Sequence, residues 1–89
     1  MIRRKMKLLH FTAEWCRPCK MMAPIISQVL DANPTIEYIK IDIDENPETT
    51  RDYGVMGVPS FITFDDNDNV IQRATGAMSK AEFVNRLQI

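Results

Sequence analysis

No apolar run in these 89 residues approaches the roughly 20 needed for a membrane-spanning helix. Net charge is just as scarce. Eleven basic side chains against twelve acidic ones leave −1, which removes the electrostatic footprint of a nucleic-acid-binding surface. Two cysteines are too few for a disulfide-framework scaffold. Two cysteines and one histidine also fall short of the four or so ligands of a zinc site, so no metal is expected. There is no repeat, no low-complexity tract and no internal linker, and the chain is too short for a second core. A domain of this size buries roughly 60 to 70% of its unfolded surface, enough for one core but not for a large enclosed cavity. With 45% apolar and 26% charged residues, the chain is too hydrophobic to be disordered. The expectation is one folded domain over residues 1–89, its first five basic-rich residues frayed. With no leader before the first strand-like segment, a cytoplasmic location is expected.

What is present has a regular order. Met6 to Phe11 is a short apolar run that reads as a buried strand. From Cys16 to about Ala32 the apolar residues Met21, Met22, Ile25, Ile26, Val29 and Leu30 recur at helical spacing. Pro24 lies inside that helix and is expected to kink it, since it lacks an N–H and crowds the carbonyl four residues back. Ile36 to Ile43 is rich in β-branched residues, with Ile39, Ile41 and Ile43 on one face, and reads as a central strand. Asn46 before Pro47 is an N-cap signal for a short helix to Tyr53. Ser60 to Phe64 and Val70 to Ala74 form a hairpin whose connector, Asp65 to Asn69, has no glycine, so an Asn or Asp must take any positive-φ position. The same segment lacks the glycine and distant glutamate of a calcium loop. Ser79 with Glu82 is a capping box for a last helix to about Leu87. The order is βαβαββα, an α/β fold. Its first two strands should be parallel through a right-handed crossover and its closing hairpin antiparallel, giving a mixed four-stranded sheet with three helices.

The chemistry concentrates in Trp15-Cys16-Arg17-Pro18-Cys19, where the first strand hands over to the long helix. The free N–H groups and dipole of a helix start favour negative charge, so a cysteine there is biased toward thiolate. Arg17 and Lys20 add positive charge. A second cysteine one turn on can close a disulfide with the first, and Pro18 restrains the backbone between them. A purely structural disulfide is disfavoured, because a three-residue offset constrains the unfolded chain only slightly.

Ala13-Glu14-Trp15-Cys16-Arg17-Pro18-Cys19-Lys20, Ala23-Pro24, Asp44 to Pro47, Tyr53-Gly54-Val55, Gly57-Val58-Pro59 and Gly76-Ala77 together resemble the thioredoxin family from about Met6 to the C-terminus. The family's usual first strand and helix are missing, which implies a minimal thioredoxin fold. The resemblance implies a protein disulfide reductase in which Cys16 is the exposed nucleophile and Cys19 the buried resolving thiol. It also implies a cis Val58–Pro59 bond facing the cysteines. Trp15, Gly57, Val58, Pro59, Gly76 and Ala77 would then form the groove for an extended substrate segment. Without the resemblance these are turn and packing residues. The redox centre would be the Cys16–Cys19 disulfide itself, with no bound cofactor. Electrons would come from NADPH through thioredoxin reductase to disulfide-containing protein substrates, and the chain would act as a monomer.

Two positions depart from the family pattern. Arg17 stands where glycine is usual, and its cation is expected to favour thiolate and make the couple less reducing. His10 stands where a buried aspartate is usual, next to a lysine that matches Lys40. Leu8, His10 and Thr12 share one strand face, which places His10 under the CxxC helix. Imidazole, with an unperturbed pKa of ~6.5, lies nearer the thiol's than a carboxylate does, so His10 is a candidate proton acceptor for Cys19. Lys40 is expected to keep it neutral. The alternative is a hydrogen-bonded core histidine without a catalytic part. Two other functions compete with the first. A glutaredoxin-like, glutathione-dependent reductase is disfavoured by Trp15 and the Cys-Arg-Pro-Cys centre, and a binding subunit would leave the thiols incidental. Arg3, Arg4, Lys5 and Lys7 form a short basic patch read as a solvated terminus.

Overall fold

The computed structural model describes residues 5–89. Arg3 and Arg4, and all but the last residue of the segment expected to fray, lie outside the described residues. The elements run β1 (Lys7–Thr12), α1 (Arg17–Ala32), β2 (Glu37–Asp42), α2 (Pro47–Asp52), β3 (Ser60–Phe64), β4 (Val70–Thr75) and α3 (Lys80–Leu87). The sheet order is β2-β1-β3-β4. β1 pairs parallel with β2 and antiparallel with β3, and β3 pairs antiparallel with β4, so the sheet is mixed as expected.

Alternation of side chains along the strands sends two apolar sets to opposite faces. On one face Leu8 and Phe61 pack against Met22, Ile26 and Val29 of α1 and against Phe83 and Leu87 of α3. The Phe61 and Phe83 rings meet edge to face, with centroids 5.0 Å apart. On the other face Leu9, Phe11, Ile62 and Phe64 pack with Ile39, Ile41, Ile43, Tyr53 and Val55. α1 buries Cys19, Met22, Ile26 and Val29, a stripe at offsets of three and four that lies along the sheet. Pro24 falls on the exposed side of α1, where the helix continues past the hydrogen bond its missing N–H removes.

The β2 strand is at the edge and not in the centre. Alternation of Ile39 and Ile41 reports which face is covered, whereas centrality depends on how many strands flank it, and β3 takes the other side of β1. Glu37 and Lys40 are exposed along this edge, and charged side chains there oppose further strand pairing. Asn46 precedes Pro47 as expected but makes no side-chain cap bond. Its amide donates instead to the Asp42 carbonyl at 3.1 Å. Asp68, with φ 61°, takes the positive-φ place in the hairpin connector. The Asp65 carboxylate accepts from the N–H groups of Asn67 and Asn69 in the same turn. At α3 the capping box forms both of its bonds, Ser79 Oγ accepting from Glu82 N–H at 3.1 Å and Glu82 Oε1 from Ser79 N–H at 3.2 Å.

Candidate active site

β1 ends at Thr12, and a turn through Ala13 to Trp15 delivers Cys16 to the N-cap of α1 with extended backbone (φ −87°, ψ 104°). Pro18 sits in the first turn, where its missing N–H has no intrahelical partner to lose. That turn carries no acidic side chain, so nothing there offsets the positive end of the helix dipole. The Cys16 Sγ accepts the Cys19 N–H at 3.2 Å, the place an N-cap oxygen takes in other helices.

Cys16 and Cys19 are joined in a disulfide, with Cα atoms 5.3 Å apart. Both are buried, Cys16 at 3% exposure and Cys19 at 4%. The contrast expected between an exposed and a buried cysteine is therefore absent in the bonded form. The Cys16 sulfur lies over the Cys19 N–H, and the pair packs against Ala13, Ile43 and Val58. Arg17 and Pro18 between them are exposed.

The Val58–Pro59 peptide bond is cis, and Pro59 is buried. The Pro59 carbonyl accepts the Gly76 N–H at 2.8 Å, which brings the end of β4 to this loop. Gly76 has φ 99°, a backbone conformation that disfavours any side chain. Gly57 is held by its carbonyl, which accepts from Ser60 Oγ at 2.6 Å, and Ala77 is exposed beside Gly76. Trp15 is 67% exposed, and its indole N–H donates to Asp44 Oδ2 at 2.8 Å. The six residues expected to form the groove thus fall on three segments, of which the Val58 and Cys16 segments are in direct packing contact.

Beside Cys19 lies a cleft of about 710 Å³ lined by His10, Cys19 and Lys40 together with Thr12, Ala13 and Asp42. His10 and Lys40 are register partners across β1 and β2, which puts both on this face. The His10 ring is 3% exposed and stacks on Phe61, with centroids 4.8 Å apart and planes 19° apart. Its Nδ1 is 2.8 Å from Tyr38 Oη, and its Nε2 is buried without a hydrogen-bond partner. The pKa of His10 is lowered to about 4, first by burial and then by the charge of Lys40. Lys40 thus acts in the expected direction but is the smaller cause. The advantage expected of imidazole over carboxylate is not realised in the oxidised site, because burial carries the ring down to the carboxylate range.

Two side chains of this neighbourhood were not foreseen as site residues. Tyr38 shares a strand face with Lys40, two residues on, and that period-two relation is the signal that places it beside His10. Asp44 holds Trp15 from 29 residues away in sequence, a contact with no local signature. Among the described residues no group of three His, Cys, Asp or Glu side chains is placed to hold a metal ion.

The thioredoxin family model matches residues 1–89. A thioredoxin of Mycobacterium tuberculosis is 40% identical over 81 residues, covering 90% of this chain and 69% of that one. Thioredoxin-2 of Pyricularia oryzae is 42% identical over 66 residues, covering 74% of this chain and 39% of the fungal protein, well under half its length. The X-ray structure of Fasciola hepatica thioredoxin superposes with a TM-score of 0.84 at 27% identity, covering 94% of this chain and 79% of that one. The chain belongs to the thioredoxin family, and its Cys16–Cys19 pair is a redox-active disulfide of the thiol–disulfide oxidoreductase kind.

Proposed function

We propose that this thioredoxin-family chain is a protein disulfide reductase, working as a single domain and a monomer. The observation that carries the reading is the Cys16–Cys19 disulfide closed across the first turn of α1, with Cys16 at the N-cap. When the pair is reduced, the Cys19 N–H aimed at Cys16 Sγ and the positive end of the α1 dipole favour negative charge on Cys16, and a thiolate is the attacking species in disulfide exchange. Cys16 Sγ attacks a substrate disulfide, one substrate sulfur leaves as a thiolate, and a mixed disulfide forms. Cys19 then attacks Cys16 Sγ, the second substrate sulfur leaves, and the Cys16–Cys19 bond is restored. Two electrons pass from the dithiol to the substrate.

Trp15, Gly57, Val58, Pro59, Gly76 and Ala77 form the docking surface in this reading, supported by the packing of Val58 on the cysteines and the tie from Gly76 to Pro59. Val58 backbone groups pair with an extended substrate segment. His10 accepts the Cys19 proton in the mixed disulfide, supported by the cleft the two residues share and by the free Nε2. A thiolate developing on Cys19 raises the affinity of the ring for that proton, because an opposite charge nearby favours the imidazolium. Lys40 keeps the ring neutral between turnovers, and Arg17 favours the Cys16 thiolate. Electrons come from NADPH through a thioredoxin reductase, and the protein acts in the cytoplasm.

Insulin reduction tests the reading. Turnover is expected with NADPH and thioredoxin reductase and not with glutathione alone; no turnover with the reductase would overturn it. A Cys16→Ser, Cys19→Ser variant with full biological activity would point instead to a binding subunit.

A further inference from the structure

We infer that Tyr38 is a positioning residue for His10: its hydroxyl accepts the Nδ1–H of the ring and leaves Nε2 as the bare acceptor nitrogen of a residue that lines one cleft with Cys19. The inference rests on the reading of His10 as the Cys19 proton acceptor and assigns the residue that makes it able to act.

A neutral imidazole has one N–H and one bare nitrogen, and the partner of one nitrogen decides the state of the other. Nδ1 has a partner, Tyr38 Oη at 2.8 Å, and Nε2 has none. If Tyr38 donated to Nδ1, the proton would sit on Nε2 as a buried N–H without an acceptor. Orphaned buried N–H groups are rarer in proteins than under-satisfied acceptors, so the opposite tautomer is favoured. Tyr38 is half-buried and burial pushes its pKa upward, so it stays a neutral hydroxyl, whose oxygen can accept the Nδ1–H. Phe61 stacked under the ring restricts rotation that would exchange the two nitrogens.

The Cys19 S–H proton passes to Nε2, and the Cys19 sulfur bonds to Cys16 Sγ. The bond from Cys16 to the substrate breaks, and the substrate sulfur leaves with the electron pair. His10 is then an imidazolium whose Nδ1–H bond to Tyr38 is charge-assisted and stronger than before. The ring gives up its Nε2 proton to solvent before the next turnover. Lys40 and Asp42 on β2, Lys20 on α1 and Glu14 in the preceding turn line the same cleft.

Tyr38→Phe keeps the ring and removes only the hydroxyl. Ring ¹⁵N shifts of the neutral histidine are expected to place the proton on Nδ1 in wild type and to move it toward Nε2 in Tyr38→Phe. Breakdown of a preformed Cys16 mixed disulfide, in a single turnover at pH 7, should slow about five-fold, the equivalent of one hydrogen bond of ~1 kcal/mol. A wild-type proton on Nε2 overturns the inference, as does a Tyr38→Phe variant with unchanged tautomer and unchanged rate. His10→Ala separates the two readings. If it is slow while Tyr38→Phe matches wild type, only the role of Tyr38 fails. If it breaks the mixed disulfide down as fast as wild type, the proton-acceptor reading fails and takes the kinetic consequence with it.

Discussion

The Gly76 N–H donates to the Pro59 carbonyl at 2.8 Å, joining the loop after β4 to the loop that packs on the disulfide. The bond depends on a backbone conformation, φ 99°, that L-residues rarely adopt. A Cβ at Gly76 meets nothing within 4 Å, so a substitution acts through backbone strain alone. Gly76→Ala is expected to cost about 1–3 kcal/mol in urea unfolding. It should also raise KM for a protein disulfide more than it lowers kcat. An unchanged KM would detach Gly76 from substrate docking.

Burial of His10 makes stability depend on pH. Its pKa is about 4 in the folded protein against an ordinary value of 6.5, so between those values the unfolded chain binds the extra proton. The contribution of neutral His10 is complete above pH 6.5 and is lost as the pH falls toward 4. The full shift corresponds to roughly 3 kcal/mol. Urea midpoints of wild type should fall over that window, and those of His10→Phe should fall less. Parallel curves for the two proteins would contradict this origin.

The two cysteines should differ in kinetic role although they are equally buried when bonded. Cys16→Ser is expected to abolish insulin reduction. Cys19→Ser should accumulate a stable mixed disulfide at Cys16, seen as a mass adduct removed by dithiothreitol. Adduct formation in the reverse pattern would reassign the nucleophile.

Arg17 is the first residue of α1, beside a cysteine at the helix start. In the proposed reading its cation favours the reduced, anionic form, so Arg17→Gly should lower the potential by roughly 10–20 mV in redox equilibration. A potential that stays constant or rises would show that the cation does not act on the couple.

Trp15 is the only tryptophan, and its indole is anchored by Asp44. Asp44→Ala should release the ring, lowering its fluorescence anisotropy while leaving thermal unfolding within about 0.5 kcal/mol, as for other exposed substitutions. Unaltered anisotropy would mean that packing, and not the hydrogen bond, holds the ring.

Much of the molecule was legible from residue order because its signals are local. The capping box of Ser79 and Glu82, the positive-φ aspartate in a connector without glycine, and cysteines one turn apart at a helix start all depend on neighbours within four residues. The period-two alternation of Ile39, Ile41 and Ile43 likewise assigned them to one face, where they pack with Leu9 and Phe11. The sequence by itself therefore determined the order of elements, the apolar faces and the place of the redox pair.

Tertiary structure decided what depends on partners distant in the chain. β2 became an edge because β3 took the far side of β1, a choice that alternation within β2 does not encode. Cys16 is buried against Ala13, Ile43 and Val58, of which the last two lie more than 25 residues away in the chain. His10 acquired a pKa near 4 because folding buries it over Phe61 and beside Lys40, with Tyr38 holding one ring nitrogen. Periodicity places a side chain on a face, but the register between strands selects what meets it there, and that register sets the electrostatics of the site.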